Sequence, residues 1–347
     1  GTVVNSLTNG FVNAYDGTTT PFTDTNSLAG ELKTFYDTEL LENARVEMFY
    51  AQFAKKQTLP AKHGNTVEWR KWNTFAKADK LKEGVIPTGQ KFGMSSKTGS
   101  IAQYGTYAAI TDTLELRAYD DTILGATEEM GASAAETQET LIRDALLPNL
   151  NILYCDNITL ETGAVAGTPT APGEMEASAT VMCLLTPKMV SKAATKMKKD
   201  RVPTINGKYY AVIHPSVAHD LRNDKEWIEV HKYSATNEIF NGEIGELHNV
   251  RFIENVFAPI LSGDYKNKAG SVTYATYFFG KDAFGIIDPE GGALQMIVKS
   301  KEQAGGPLNQ FSTVGYKFET NGATILYPER VLRVMSCSTY SAIDEAN

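Results

Sequence analysis

Cysteine is scarce: the 347 residues contain three, Cys155, Cys183 and Cys337, widely spaced and odd in number. That excludes a disulfide scaffold and a CxxC-type zinc site, and it fits synthesis in a reducing compartment. Histidine is nearly as rare, and its five copies are too dispersed to form a catalytic group. No apolar run reaches the ~18 residues of a membrane-spanning helix, and no charged–apolar–small-residue signal opens the sequence. Positive charge is outweighed, with 33 Lys and Arg against 41 Asp and Glu and a net charge of −8. Such a chain is ill suited to gripping duplex DNA, a task that needs clustered neutralisation of phosphates. Also missing are HExxH, GxSxG, GxGxxG and a phosphate loop of the form GxxxxGK followed by Ser or Thr. These spacings build zinc, acyl-transfer, dinucleotide and phosphate sites. Internal repeats and low-complexity tracts are absent as well.

The composition is that of an ordinary globular chain, 42% apolar and 21% charged, long enough for two or three substructures. Residues 1–27 are rich in Thr, Asn, Gly and Ser, with scattered Phe11, Tyr15 and Phe22. This is an arm without a core of its own, which either frays or docks its aromatics elsewhere. From Leu28 to Ala54 the positions Leu32, Phe35, Tyr36, Leu40, Ala44, Met48 and Ala51 recur at helical steps, behind Asn26 or Ser27 as N-cap. That stepping stops at Thr58-Leu59-Pro60.

Residues 67–72 and 100–110 are rich in aromatic and β-branched side chains, and Gly84 to Gly99 between them is polar. The pattern predicts an extended hairpin. A lone two-stranded ribbon is marginal in water, so this one must lean on its own chain or on a neighbour. Asp120 to Leu147 is the longest helical pattern, with Ile123, Ala126, Met130, Ala134, Leu141 and Ala145 in a stripe and Glu128, Glu129, Glu136 and Glu139 elsewhere. At 1.5 Å per residue it makes a rod of ~42 Å. Gly131 inside it costs ~1 kcal/mol relative to Ala, a thin spot where the rod can bend. Pro148 breaks it.

Thr186-Pro187 predicts an N-cap and first-turn proline, opening a helix with Lys188, Lys192, Lys196 and Lys199 on one side. Those lysines either face solvent or meet an acidic neighbour. Tyr209 to Ile213 is a buried strand candidate, and His214-Pro215-Ser216 turns into a short helix through Leu221. Further strands are expected at 250–256, 274–279, 284–287, 294–298, 311–318 and 324–335, the last two around Asn321-Gly322.

Individual chemical candidates each have a plainer reading. His214 can be a base, but its place at a strand-to-helix turn favours a cap. His219, Asp220 and Asp224 suggest a weak metal site, or simply a solvated helix end. Cys183 lies in the apolar run 181–185, where a structural thiol is expected because nothing nearby would lower its pKa. Asn157-Ile158-Thr159 matches a glycosylation acceptor by chance expectation.

Charge is patterned more tellingly. Lys55 to Ser100 holds ten Lys or Arg against three acids, while Asp112 to Glu139 holds eight acids against Arg117. A basic ribbon lying along the acidic rod of another copy would neutralise it, setting register and partner choice more than affinity. The candidate intersubunit residues are Trp69, Arg70, Lys71, Trp72, Lys77, Lys80 and Lys82 on the ribbon and Glu128, Glu129 and Glu136 on the rod. The alternatives are two solvated surfaces that never meet, or bases stacked on Trp69 and Trp72.

The order of hairpin, rod, mixed domain and returning strands resembles the HK97-type major capsid proteins of tailed phages, and more closely the N4 gp56-like family. The residues that carry the resemblance include Leu184-Leu185-Thr186-Pro187, the run from Val202 to Pro215, Asp220-Leu221-Arg222 and Trp227. Asn241 to Gly245, Val250 to Glu254, Val314 to Lys317 and Ala323 to Leu326 continue it. The likeness covers roughly residues 28–336 and implies an α+β, HK97-like capsid fold. By similarity, residues 1–60 are an N-terminal arm and helix and 61–112 the extended E-loop β-hairpin. Residues 113–186 hold the P domain with its long spine helix, 187–300 the A domain, and 301–347 the strands returning to the P domain.

The resemblance also implies a subunit that self-assembles into hexamers and pentamers around a dsDNA genome. Its expected partners are further copies, portal, scaffolding and cement proteins, with non-specific proximity to packaged DNA and no membrane. It would be assembled in the host bacterial cytoplasm and reside in the virion. No catalytic, cofactor or metal residues come with the family, and no motif for a covalent Lys–Asn crosslink is matched. Serving both rings requires bending, for which Gly131 is the candidate hinge, with Gly84, Gly89, Gly93 and Gly99 in the ribbon. Competing readings are an encapsulin-like nanocompartment shell and a soluble α+β hydrolase centred on His214, Cys183 and Asp220.

Overall fold

The computed structural model describes residues 11–12, 19–20, 49–78, 80, 83–84, 86, 89–112, 122–232, 243–300, 302–304, 308, 310–340 and 344–347. Strands β1 (Phe11–Val12) and β2 (Thr19–Thr20) pair with each other. A 3-10 turn, Tyr50–Phe53, leads into β3 (Lys55–Leu59), β4 (Thr66–Trp72), β5 (Met94–Ser100) and β6 (Ala102–Thr111). The long helix α1 (Thr122–Leu146) follows. Then come β7 (Ile152–Tyr154), β8 (Asn157–Thr159), β9 (Val165–Gly167) and β10 (Val181–Cys183). Helix α2 (Pro187–Lys199), β11 (Tyr209–Ile213), α3 (Pro215–Asn223) and α4 (Lys225–Lys232) lead to β12 (Glu243–Leu247) and β13 (Val250–Glu254). The chain closes with β14 (Ile260–Leu261), β15 (Thr273–Phe279), β16 (Phe284–Pro289), β17 (Gln295–Lys299), β18 (Phe311–Thr320), β19 (Thr324–Ile325) and β20 (Val331–Ser336).

The main sheet runs β12-β13-β11-β15-β20-β7, with β14 paired to β15. It is mixed: β11–β13 and β20–β7 are parallel and β11–β15–β20 antiparallel. Side chains alternate across it, and both faces are buried, which is why Tyr209–Ile213 and Thr273–Phe279 read as unbroken apolar runs. Tyr209, Ala211, Ile213, Phe278 and Leu332 face Met189, Val190, Ala193 and Met197 of α2 and Val217 and Leu221 of α3. Val212, Tyr277, Phe279 and Val331 face Tyr50, Phe53, and Ile142 and Leu146 of α1. Each large side chain so buried contributes about 1.5–3 kcal/mol. Both predicted helix starts hold: the Thr186 hydroxyl accepts from Met189 N at 3.4 Å ahead of Pro187, and His214 Nδ1 accepts from Ser216 N at 3.2 Å.

Helix α1 covers a second sheet, β17-β18-β6, where Ala134 meets Ile110, Met296, Val314 and Phe318. The helix is continuous through Gly131, which is buried. Its C-terminal end is tied to the main sheet, since Arg333 Nη1 donates to Leu147 O at 2.8 Å and Asn149 Nδ2 to Val331 O at 2.6 Å.

Three sequence expectations change. Most of the helical pattern from Leu28 lies outside the described residues, and its last part is the 3-10 turn followed by β3, which pairs in parallel with β16. Second, the partner of β4 is β5, inside the segment expected to be a connection. Ala102–Thr111 pairs over ten residues with β18 instead, because Ala109 and Ile110 can bury there beneath α1. The polar run Met94–Ser100 has little to bury and stays on the ribbon. Third, 324–335 is two strands, β19 and β20, split by a turn at Pro328.

Candidate intersubunit interface

Strands β4 and β5 form a two-stranded sheet of their own, in register from Thr66↔Ser100 to Trp72↔Met94. Its base rests on the same chain through Trp69. The indole fills space left by two glycines: a Cβ on Gly285 would come within 2.8 Å of the ring, and one on Gly99 within 2.9 Å. The Trp69 Nε1–H is buried there without a hydrogen-bond partner. Asn321 braces the far side, accepting from Ile287 N at 2.8 Å and donating to Gly285 O at 3.3 Å and Thr324 Oγ1 at 3.0 Å. Lys71 Nζ lies 3.8 Å from Glu329 and 4.5 Å from the centre of the Tyr327 ring. Arg70 pairs with Glu68 at 3.1 Å, and hydrogen bonds from Ser96 and then Arg70 hold the Glu68 carboxyl below its ordinary range.

The far end of the ribbon differs. Trp72 stacks on Phe92 with centroids 4.3 Å apart, and Phe92 on Phe75 at 5.3 Å. The three are 60%, 57% and 53% exposed, and Met94 beside them is 47% exposed. Contiguous exposed aromatics of this kind mark a surface that meets something. Lys77 and Lys80 are exposed nearby, and Lys82 lies outside the described residues.

On α1, Glu128, Glu129 and Glu136 are exposed. Glu139 is not: it is 1% exposed and accepts the backbone N–H of Tyr50 at 3.2 Å. Burial pushes its carboxyl up to about 7, against the opposing pull of the Tyr50 N–H and of the nearby Phe49 backbone and Asn255 side chain. Of the four α2 lysines, Lys192 pairs with Asp156 at 3.1 Å and Lys196 Nζ lies 3.5 Å from Ile152 O, so two already have partners in the same chain.

The hydrolase residues are committed elsewhere. His214 caps α3, and burial lowers its pKa. Asp220 accepts from Thr339 N at 2.9 Å. The Cys183 thiol donates to Cys155 O at 3.0 Å and is held far above its ordinary pKa by Cys155 and by burial. Asn157 is buried, accepting from Glu176 N and donating to Glu174 O, which leaves no room for a glycan. Among the described residues no group of three or more His, Cys, Asp or Glu is arranged to hold a metal ion. Sequence reasoning did not find the convergence of the three cysteines, the burial of Glu139 or the seat of Trp69. The last two left a signal: Glu139 falls at helical spacing with Ala135, Ile142 and Leu146, and Trp69 and Trp72 are three apart in a strand and must point to opposite faces.

The comparisons with known proteins match this architecture. The phage capsid protein family matches residues 95–322, more than half of the chain. No curated protein matches the sequence. Among solved structures, the capsid of cyanophage Pam1 is 12% identical with a TM-score of 0.62, over 96% of this chain and 100% of that one. The capsid of cyanophage P-SCSP1u is 13% identical with a TM-score of 0.57, over 95% and 94%. The capsid of Ralstonia phage GP4 is 16% identical with a TM-score of 0.57, over 84% and 89%. At such identities the structures establish the fold, an HK97-like α+β capsid fold, and the family match establishes a structural, self-associating role in the virion. The chain belongs to the phage capsid protein family, as a major capsid protein that forms the head shell.

Proposed function

We propose that this subunit assembles into hexamers and pentamers that enclose the dsDNA genome of a tailed phage, and that the ribbon's aromatic tip rests on a neighbouring copy. The observation that carries this is the exposed Trp72–Phe92–Phe75 stack on a ribbon that is two-stranded among the described residues. On this reading Trp69 and Lys71 set the angle at which the ribbon leaves its own body. Trp72, Arg70, Lys77, Lys80 and Lys82 reach the copy beside it, near Glu128, Glu129 and Glu136 of its α1. Individual contacts are weak, yet each subunit engages several neighbours, so closure of the shell is favoured.

Residues 61–112 then serve as the E-loop, 113–186 with 301–347 as the P domain, and 187–300 as the A domain, in a member of the N4 gp56-like group. Bending at Gly131, or in the ribbon at Gly84, Gly89, Gly93 and Gly99, adapts one chain to both rings. Portal, scaffolding and cement proteins complete the particle, which forms in the host cytoplasm.

A Trp72→Ala/Phe92→Ala double variant tests the interface. It should remain folded by circular dichroism, elute as small species on size-exclusion chromatography and give no shells by negative-stain microscopy. Shells of normal yield and size would rule out the tip contact. Nuclease-protected DNA in shells recovered from infected cells supports the genome-container role over a cargo compartment.

A further inference from the structure

Three cysteines from distant parts of the chain meet at one seam. The ladder of β7 with β20 ends at Tyr154↔Met335, and Cys155 N donates to Met335 O at 3.0 Å. Cys337, just past β20, donates its N–H to Cys183 O at 2.6 Å. Cys183 closes β10, opposite Asn157 of β8. The seam is therefore where the main sheet hands over to the small sheet β10-β8-β9.

Cys183 sits in the middle. Its thiol donates to Cys155 O at 3.0 Å, while the Cys337 sulfur accepts from Asn267 Nδ2 at 3.5 Å. The Cys155 thiol raises the pKa of Cys183, and Cys183 in turn helps burial push Cys337 up to about 12. All three are buried and reduced.

We infer that Cys155 and Cys183 are a dithiol that closes to an intrachain disulfide when the chain folds in the presence of a disulfide oxidant, with Cys337 left as a thiol beside Asn267. The thiolate of one cysteine attacks the oxidant, forming a mixed disulfide and releasing one reduced thiol. The thiolate of the other displaces the second. Two electrons pass to the oxidant and the two protons end on its two thiol products. The first exchange belongs to the chain before it closes, when its thiols have an ordinary pKa near ~8.5. Both sulfurs are buried once the chain has closed, out of reach of a soluble oxidant, so the folded protein keeps the oxidation state in which it folded. The bond would enclose β8 and β9 in a covalent loop and hold the small sheet to the end of β7.

The test is refolding of the full chain from denaturant with oxidised and reduced glutathione, followed by alkylation and peptide mapping by mass spectrometry. The expected product joins Cys155 to Cys183, two hydrogens lighter, with Cys337 alkylated. C337S keeps the link, and C155S and C183S lose it. Linked protein should melt at a higher temperature, and reduction under denaturing conditions should abolish the shift. Three alkylated cysteines after oxidative refolding, or Cys183 joined to Cys337, overturn the inference. Should oxidative refolding give no folded protein, protein oxidised with glutathione in sub-denaturing urea is mapped, with the same two readings.

Discussion

The carboxylate of Glu139, on the long helix, holds the backbone N–H of Tyr50 at 3.2 Å across 89 residues of sequence. Tyr50 opens the turn that carries Phe53 into the core, so this contact fixes where the N-terminal part of the chain joins the body. The Phe49 backbone and the Asn255 side chain lie near the same carboxyl, and Arg143 and Tyr277 stand close to Tyr50.

Glu139 makes stability fall as pH rises from acid towards neutral. Its folded pKa, about 7, lies above the ordinary 4.5, so the folded state holds a proton that the unfolded state releases. The contribution is full below the ordinary value, declines between the two and is flat above the higher, a span on the order of 3 kcal/mol. His214 works the other way. Burial lowers its pKa, so its contribution is full above the ordinary His range and shrinks as pH falls through it. Urea melts from about pH 5 to about pH 8 should show Glu139→Gln losing less stability than wild type as pH rises. Parallel curves for the two proteins would show that Glu139 does not titrate in this range.

Trp69 and Gly285 form a matched pair. Trp69→Ala should cost about 2 kcal/mol, less than a full core Trp because the ring is half-buried. Gly285→Ala should cost a similar amount in wild type, since its methyl group would collide with the ring 2.8 Å away. In the Trp69→Ala background that penalty should largely disappear. The readout is a double-mutant cycle, with hydrogen exchange of the β4 and β5 amides as a local probe. Additive losses would show that the ring and the glycine do not act on each other.

The lysine side of α2 needs a more careful test than wholesale charge reversal. Asp156 is buried and Lys192 is its partner at 3.1 Å. Lys192→Glu should therefore destabilise the isolated subunit by about 1–2 kcal/mol, discounted for the solvent that reaches the lysine. Lys188→Glu and Lys199→Glu, on exposed positions, should leave the melt unchanged. If those two also leave assembly unchanged, this face meets no acidic neighbour.

What the sequence made legible was local. Thr186-Pro187, His214-Pro215 and the run Tyr209–Ile213 carry their own structural instructions in caps and continuous apolar patterning. The partner of β4 did not, because Met94–Ser100 has no periodicity to distinguish a polar ribbon strand from a connection. Glu139 shares a helix face with the buried Ala135, Ile142 and Leu146, so a helical wheel places it inward, but nothing in the wheel says that it serves a backbone 89 residues away. Of the interface candidates, alternation along β4 separates Trp69 from Trp72. Which of the two faces the body was decided by Gly285, far along the chain.

Asn321 tests whether hydrogen-bond donation alone holds the platform under Trp69. Its amide accepts from Ile287 N at 2.8 Å and donates to Gly285 O and Thr324 Oγ1, all on the strands that seat the ring. Asn321→Asp keeps the shape and the acceptor but replaces the donor with a carboxylate oxygen facing the Gly285 carbonyl. The loss should be about 2 kcal/mol near neutral pH, the scale of a buried polar group left against a like partner. Below the carboxyl pKa the protonated aspartate regains an O–H donor, so part of the loss should return. Asn321→Ala, which has neither group, should show no such recovery. Denaturant melts of the three proteins at neutral and acidic pH separate the cases. An aspartate variant as stable as wild type at neutral pH would mean that donation to Gly285 and Thr324 does not support the ribbon's base.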